Sequence, residues 1–409
     1  MSGPYAAMRI PDFRRFIFAR FCITLAIQIQ AVVVGWQVYE ITRDPLSLGL
    51  IGLAEAVPSI GISLYAGHVA DLISRKKIIV LTVFTLVACS AFLLFFTVDP
   101  GSLILSHGIF PIYTVIFVSG IARGFLTPAI FSFMPQLVPR ELYQNAISWN
   151  STLWETASIG GPPLGGLVYG FAGITTAYAV DVALTCIGLG LMVSVASRPL
   201  PTVSVEQGIG EKIRAGLRFV FDNKIILGAI SLDLFAVLFG GAVALLPIFA
   251  DEVLNVGKIG LGFLRAAPGI GALLTALYLT YNPIRNSMGS ILLVSVAGFG
   301  MCMIMFALSK NFWLSMGVLA ISGAFDSVSV IIRGILLQTL TPENMKGRVS
   351  AVNNIFIGSS NEIGAFESGV AARLLGVIPS VVFGGLMTLG VVLVTAWKAP
   401  ALRRLQNIK

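Results

Sequence analysis

The sequence predicts an all-α membrane protein of twelve transmembrane helices, arranged as two pseudo-symmetric six-helix bundles. Three observations carry that expectation. The 409-residue chain is 56% hydrophobic and only 11% charged, with a mean hydropathy of +0.91, whereas soluble domains carry about 25% charged residues. Apolar stretches long enough to cross a hydrocarbon layer of roughly 30 Å recur along its whole length. The two halves also repeat each other in short aligned segments.

Taken in order, helices are expected near residues 13–41, 46–70, 77–98, 110–134, 142–169 and 174–197, and then near 225–250, 258–281, 288–309, 312–336, 349–375 and 378–397. The single long polar interruption, "SRPLPTVSVEQGIGEKIRAGLRFVFDNK", separates the sets. It divides the chain into an N-terminal bundle (1–197), a linker (198–224) and a C-terminal bundle (225–409). The linker starts Pro-rich and turns amphipathic after Glu206, the pattern of a helix lying on a membrane surface. No cleavable signal peptide is expected, because the apolar run after "DFRRF" is too long for an h-region.

Positive charge sets the expected orientation. Nineteen of the 27 Lys and Arg residues fall in segments on one side, against Arg43, Lys258 and Lys310 on the other. Both termini and the linker are therefore expected in the cytoplasm. The net charge of +8 reflects this asymmetry and not a nucleic-acid partner. Cys22, Cys89, Cys186 and Cys302 lie in apolar runs without paired spacing and read as small apolar residues. His68 and His107 are far apart, so no metal site is expected. No cofactor is expected either, and the absence of a Walker loop argues against direct ATP drive.

The internal repeat is specific. "GLAEAVPSIG" (52–61) matches "GFLRAAPGIG" (262–271) at five of ten positions, and "SGIAR" (119–123) matches "SGAFD" (322–326). Charges are exchanged within these pairs: Glu55 corresponds to Arg265, and Arg123 to Asp326. Duplication of a six-helix unit is a transporter architecture.

Between the second and third helices stands "GHVADLISRKK", with Gly67, Asp71, Arg75, Lys76 and Lys77. This Gly-x-x-x-Asp-x-x-x-Arg-Lys-Lys pattern resembles the signature loop of the major facilitator superfamily, although Leu72 and Ser74 replace the usual basic residue and glycine. Glycine permits close helix approach, the aspartate can accept from a facing helix end, and the cations suit anionic headgroups. In the fifth helix, Gly161, Pro162, Gly165 and Gly166 of "GGPPLGG" resemble the motif of the superfamily's antiporters, with Ser148 and Ala157 standing where glycine is usual. Arg123 resembles its buried arginine, associated with proton coupling. "DLFAVLFGGAVALLPIFA" and "GRVSAVNNIFIGSSNEIGAFESG" resemble the branch of enterobactin exporters and drug:proton antiporters.

Charged groups inside membrane helices cost roughly 2.5–3.5 kcal/mol each and are functional candidates by default. Arg20, Glu55, Arg123, Glu155, Asp181, Asp233, Arg265, Asp326, Arg333, Glu362, Glu367 and Arg373 are such groups. Glu55, Arg123, Glu155, Asp233, Arg265, Asp326 and Glu367 are the proton or substrate candidates. Glu155 and Arg265 share faces with small residues on the fifth and eighth helices, which suggests a gate, although they differ in depth by roughly 9 Å. Trp36, Trp149 and Trp154 are candidates for a cavity wall or for packing. Glu362 and Glu367 lie about 140° apart around one helix. Glu367 shares a polar face with Asn353, Asn354, Ser360, Asn361, Gly364 and Ser368, as a cavity wall would. Glu362 points elsewhere and is expected to serve structure, with a fixed cationic partner such as Arg333.

The resemblance implies a proton-coupled exporter of a small organic molecule, siderophore-like or drug-like, working by alternating access. The expected partners are that molecule, protons and the lipid bilayer, with no nucleic acid, and the monomer is the expected functional form. No enzymatic constellation is evident. A metabolite importer is the second expectation and a non-transporting receptor or scaffold the third. Retention of the buried charges and the signature loop speaks against the last.

Overall fold

In the computed structural model, the described residues are 5–98, 107–198, 209–282, 284, 287–342, 345–403 and 405. The major helices are α1 (Pro11–Thr42), α2 (Pro45–Leu72), α3 (Arg75–Val98), α4 (Phe110–Phe133), α5 (Tyr143–Val193) and α6 (Ile209–Asp222). They continue with α7 (Lys224–Gly240), α8 (Gly257–Tyr281), α9 (Met288–Leu308), α10 (Phe312–Leu340), α11 (Lys346–Leu375) and α12 (Val377–Lys398). Among the described residues there is no strand.

Ten segments are long and apolar enough to cross a membrane among the described residues. One of them, Arg140–Val193, holds both the fifth and sixth expected helices. Gly173, at φ 83° and ψ 172°, bends α5 between its two arms. That backbone conformation suits glycine, because a residue with a Cβ adopts it only under strain. The thirty-residue α11 is not among these segments, since it carries Asn353, Asn361, Glu362 and Glu367. Large apolar side chains cover the outside: Phe131, Phe171 and Trp397 are each about 80% exposed. A surface of this kind suits a hydrocarbon phase.

The chain forms two compact units. The first comprises residues 1–43, 54–204 and 257–266, and the second 44–53, 205–256 and 267–409. The start of α2 thus groups with the second unit, and the start of α8 with the first. In the first unit, α1 lies along α5, and α3 packs on α4 and α5. Phe13, Phe16 and Ile17 of α1 pack in one core with Ile79, Val83, Ala129 and Met192. In the second unit, α9 packs on α10 and α12, and α7 on α11 and α12. The amphipathic α6 is part of this unit: Val220 is buried with Ile226, Val349 and Val352. Its apolar stripe meets α7 and α11, so protein covers a face expected to lie on lipid.

The repeat appears as the same contact made twice. A Cβ on Gly120 of α4 would fall 2.9 Å from the Pro58 ring of α2. A Cβ on Gly323 of α10 would run into the Pro268 carbonyl oxygen of α8. These two pairs are aligned positions of the two halves. Each glycine lets a proline-bearing helix approach to backbone contact.

Candidate functional site

The first unit buries a polar cluster contributed by five helical segments. On α1, Gln30 donates from Nε2 to Asp181 Oδ2 of α5 at 3.1 Å and to Ser90 Oγ of α3 at 3.3 Å. Its Oε1 accepts from Arg123 Nη2 of α4 at 3.5 Å. Arg123 in turn forms an ion pair with Glu55 of α2. Asp181 is 1% exposed, and Arg123 Nε is buried without a hydrogen-bond partner. One guanidinium therefore serves two carboxyl groups, bridged by a glutamine. In the sequence Glu55 and Arg123 stand out, whereas Asp181 is one buried charge among many and Gln30 attracts no notice. The signal that could have found them is the pair Gln30 and Gln37, seven residues apart on one face of an apolar helix. Gln37 sits two turns further along, accepting from the Tyr178 hydroxyl at 2.6 Å.

Near the end of α1 lies a second cluster of the same unit. Glu40 accepts from the Tyr169 hydroxyl at 2.8 Å and lies 3.1 Å from Lys258 Nζ at the start of α8. The ammonium also sits 4.1 Å above the Tyr169 ring, a cation–π geometry. The fifth-helix motif brings these segments together. Cβ atoms on Gly161 and Gly165 would meet Gln28 and Ile29 of α1 at 2.5 and 3.1 Å. On Gly166, a Cβ would come within 2.6 Å of the Lys258 carbonyl oxygen and 3.1 Å of Gly262 Cα. The fifth and eighth helices thus meet through small residues. Pro162 shares the contact through its carbonyl, 2.6 Å from a Cβ on Gly262.

The expected Glu155–Arg265 gate does not form. Arg265 Nη1 donates to the Ala31 carbonyl of α1 at 3.0 Å. Glu155 is partly exposed further down α5; the depth mismatch visible in the sequence keeps the two apart.

In the second unit, Arg333 of α10 and Asp233 of α7 form a buried ion pair. Arg333 does not meet Glu362, as the sequence led us to expect. Depth is the reason. Arg333 lies seven residues from the end of α10 and Asp233 nine from the start of α7, about 10 and 13 Å along their axes. Glu362 lies sixteen residues into α11, about 24 Å from the same end. Its carboxylate instead lies beside α2, 3.3 Å from where a Cβ on Gly52 would be.

The face of α11 expected to line a cavity mostly packs. Gly364 abuts the α7 backbone at Leu238, and Ser368 Oγ donates to the Gly241 carbonyl at 3.0 Å. Asn361 does line a cavity, of about 170 Å³, together with Asp326, Phe299 and Met303. Of the expected acids, Asp326 is the one on that wall; Glu367 is partly buried on α11 and does not line it. In the signature loop, Arg75 Nη1 donates to the Ser132 carbonyl at 2.9 Å and Lys76 Nζ to that of Val193 at 2.8 Å. Both cap carbonyls at helix ends. Lys77 is exposed. The surroundings of Gly67 and the side chain of Asp71 lie outside the described residues. No group of His, Cys, Asp and Glu able to hold a metal occurs among the described residues.

Buried acids and an apolar cavity among membrane helices suit a carrier of small molecules, and comparison with known proteins points the same way. Residues 2–408 match the family model described as transmembrane secretion effector. Over 388 residues the chain is 27% identical to the enterobactin exporter EntS of Shigella dysenteriae serotype 1, covering 94% of this chain and 91% of that protein. Its fold is shared with a POT family transporter solved with 5-aminolevulinic acid, at a TM-score of 0.74 and 11% identity over 95% and 96% of the two chains. A D-xylose–proton symporter superposes with a TM-score of 0.70 at 13% identity, over 98% of both chains. The chain is therefore a multi-pass membrane transport protein of the major facilitator superfamily and belongs to its transmembrane secretion effector family.

Proposed function

We propose that this protein exports a small organic molecule across a bacterial inner membrane in exchange for protons. The observation that carries the coupling is the Glu55–Arg123–Gln30–Asp181 cluster. Two carboxyls share one guanidinium there, so the cluster can carry one exchangeable proton without leaving two bare charges in a buried site. Protonation and substrate would bias the two six-helix bundles towards opposite states of an alternating cycle, and only differential affinity for those states can do so. Outward transport is supported by the exporter relatives and by the small-residue contacts of the fifth-helix motif. A siderophore-like or drug-like substrate, cytoplasmic termini and a functional monomer complete the proposal. The test uses everted vesicles energised by respiration, offered a panel that includes enterobactin. Accumulation abolished by a protonophore supports the reading; accumulation that survives it and needs ATP overturns it.

A further inference from the structure

We infer that the cavity of the second unit is a binding subsite for the ammonium-bearing aromatic or alkyl portion of an organic ligand. This rests on the transport reading above but concerns equilibrium binding alone. The cavity holds about 170 Å³ and is walled mainly by apolar groups, among them Phe299, Met303 and Leu319. A dry apolar cavity of about 150 Å³ admits benzene, so this one has room for a single ring and a short chain.

Its polar groups are mostly acceptors. Asp326 stands on the wall, and among the described residues it forms no ion pair: the nearby guanidinium of Arg333 is taken by Asp233. Asp326 and Asp233 also line a narrow crevice with Ser329, whose buried hydroxyl has no partner. The second source of negative potential is the backbone. Helix α7 stops at Gly240, and Gly240 and Gly241 both border the cavity. A helix that ends there brings the negative end of its dipole to the cavity, although the Gly241 carbonyl itself accepts from Ser368 Oγ. Interrupted helices at a cavity are how membrane transporters build ion and substrate sites. Asn361 can donate as well as accept and would orient a ligand without changing the sign of the site. An acid with no counter-charge, a broken helix end and an aromatic wall together select a cation attached to an apolar body.

The test is calorimetric titration of the purified full-length protein with phenethylamine, its neutral isostere 2-phenylethanol, and 3-phenylpropionate. The ammonium is expected to bind at least tenfold more tightly than the alcohol, and the carboxylate not at all. Asp326→Asn, which keeps the shape, should remove the ammonium's advantage while leaving the alcohol's affinity unchanged. Val237→Phe, which fills the wall, should weaken both. Equal affinities for ammonium and alcohol in the native protein, or an ammonium advantage that survives Asp326→Asn, would overturn the assignment. Because no gradient is present, these outcomes are independent of whether transport proves to be proton-driven.

Discussion

Asp233 and Arg333 meet as an ion pair with side chains only 9% and 4% exposed, joining α7 to α10 inside the second unit. Removing one partner of such a pair strands a buried charge, which costs about 3–5 kcal/mol, whereas removing both costs far less. Asp233→Asn should therefore lower the thermal unfolding temperature in detergent substantially. The double substitution Asp233→Asn with Arg333→Met should recover most of the loss. If single and double variants melt alike, the pair contributes nothing specific.

Gly166 stands where α5 touches α8. With a Cβ 2.6 Å from a backbone oxygen, Gly166→Ala must push the helices apart, and overpacking of this kind costs about 1–3 kcal/mol. Gly160, earlier on the same helix, has open space where a methyl group would stand, with nothing within 4 Å. Gly160→Ala should change stability by no more than about 0.5 kcal/mol. Thermal unfolding of both variants side by side checks the contrast. Equal behaviour would show that the contact at Gly166 is loose.

The Glu40–Lys258 pair is different in kind. Its side chains are 38% and 30% exposed, and pairs so open to solvent contribute at most about 1 kcal/mol. Lys258→Gln should leave the melting temperature nearly unchanged. It should raise amide exchange across residues 257–262, because the first turn of α8 loses its tie to Glu40 and Tyr169. Unchanged exchange there would mean that the glycine contacts alone hold that turn.

Much of the architecture was legible because hydropathy and the repeat report on the same thing, burial in hydrocarbon. The glycines and prolines of the aligned segments meet in the structure as the Gly120–Pro58 and Gly323–Pro268 contacts, which the alignment alone does not show. The break expected between the fifth and sixth helices falls at Gly173, where φ and ψ leave the helical region. Pairings between helices were harder. Periodicity gives the face of a side chain but not the neighbour it meets, so Glu362 was assigned Arg333 although their depths differ. The same gap hid the bridge from Gln30 to Asp181, and nothing in chain order shows that Glu40 and Lys258 share one corner. Depth counted from helix ends would have found the Asp233–Arg333 pair.

Coupling through the buried cluster is tested most directly by comparing uphill and downhill transport in the Asp181→Asn protein. The glutamine bridge persists in that variant, since an amide oxygen can still accept from Gln30 Nε2, but the exchangeable proton is gone. For a panel compound that the native protein accumulates in energised everted vesicles, the variant should still catalyse exchange of labelled for unlabelled compound. It should fail to accumulate that compound against a gradient, and its exchange should lose its dependence on pH. Uphill accumulation by Asp181→Asn with undiminished sensitivity to a protonophore would contradict the assignment of coupling to this cluster.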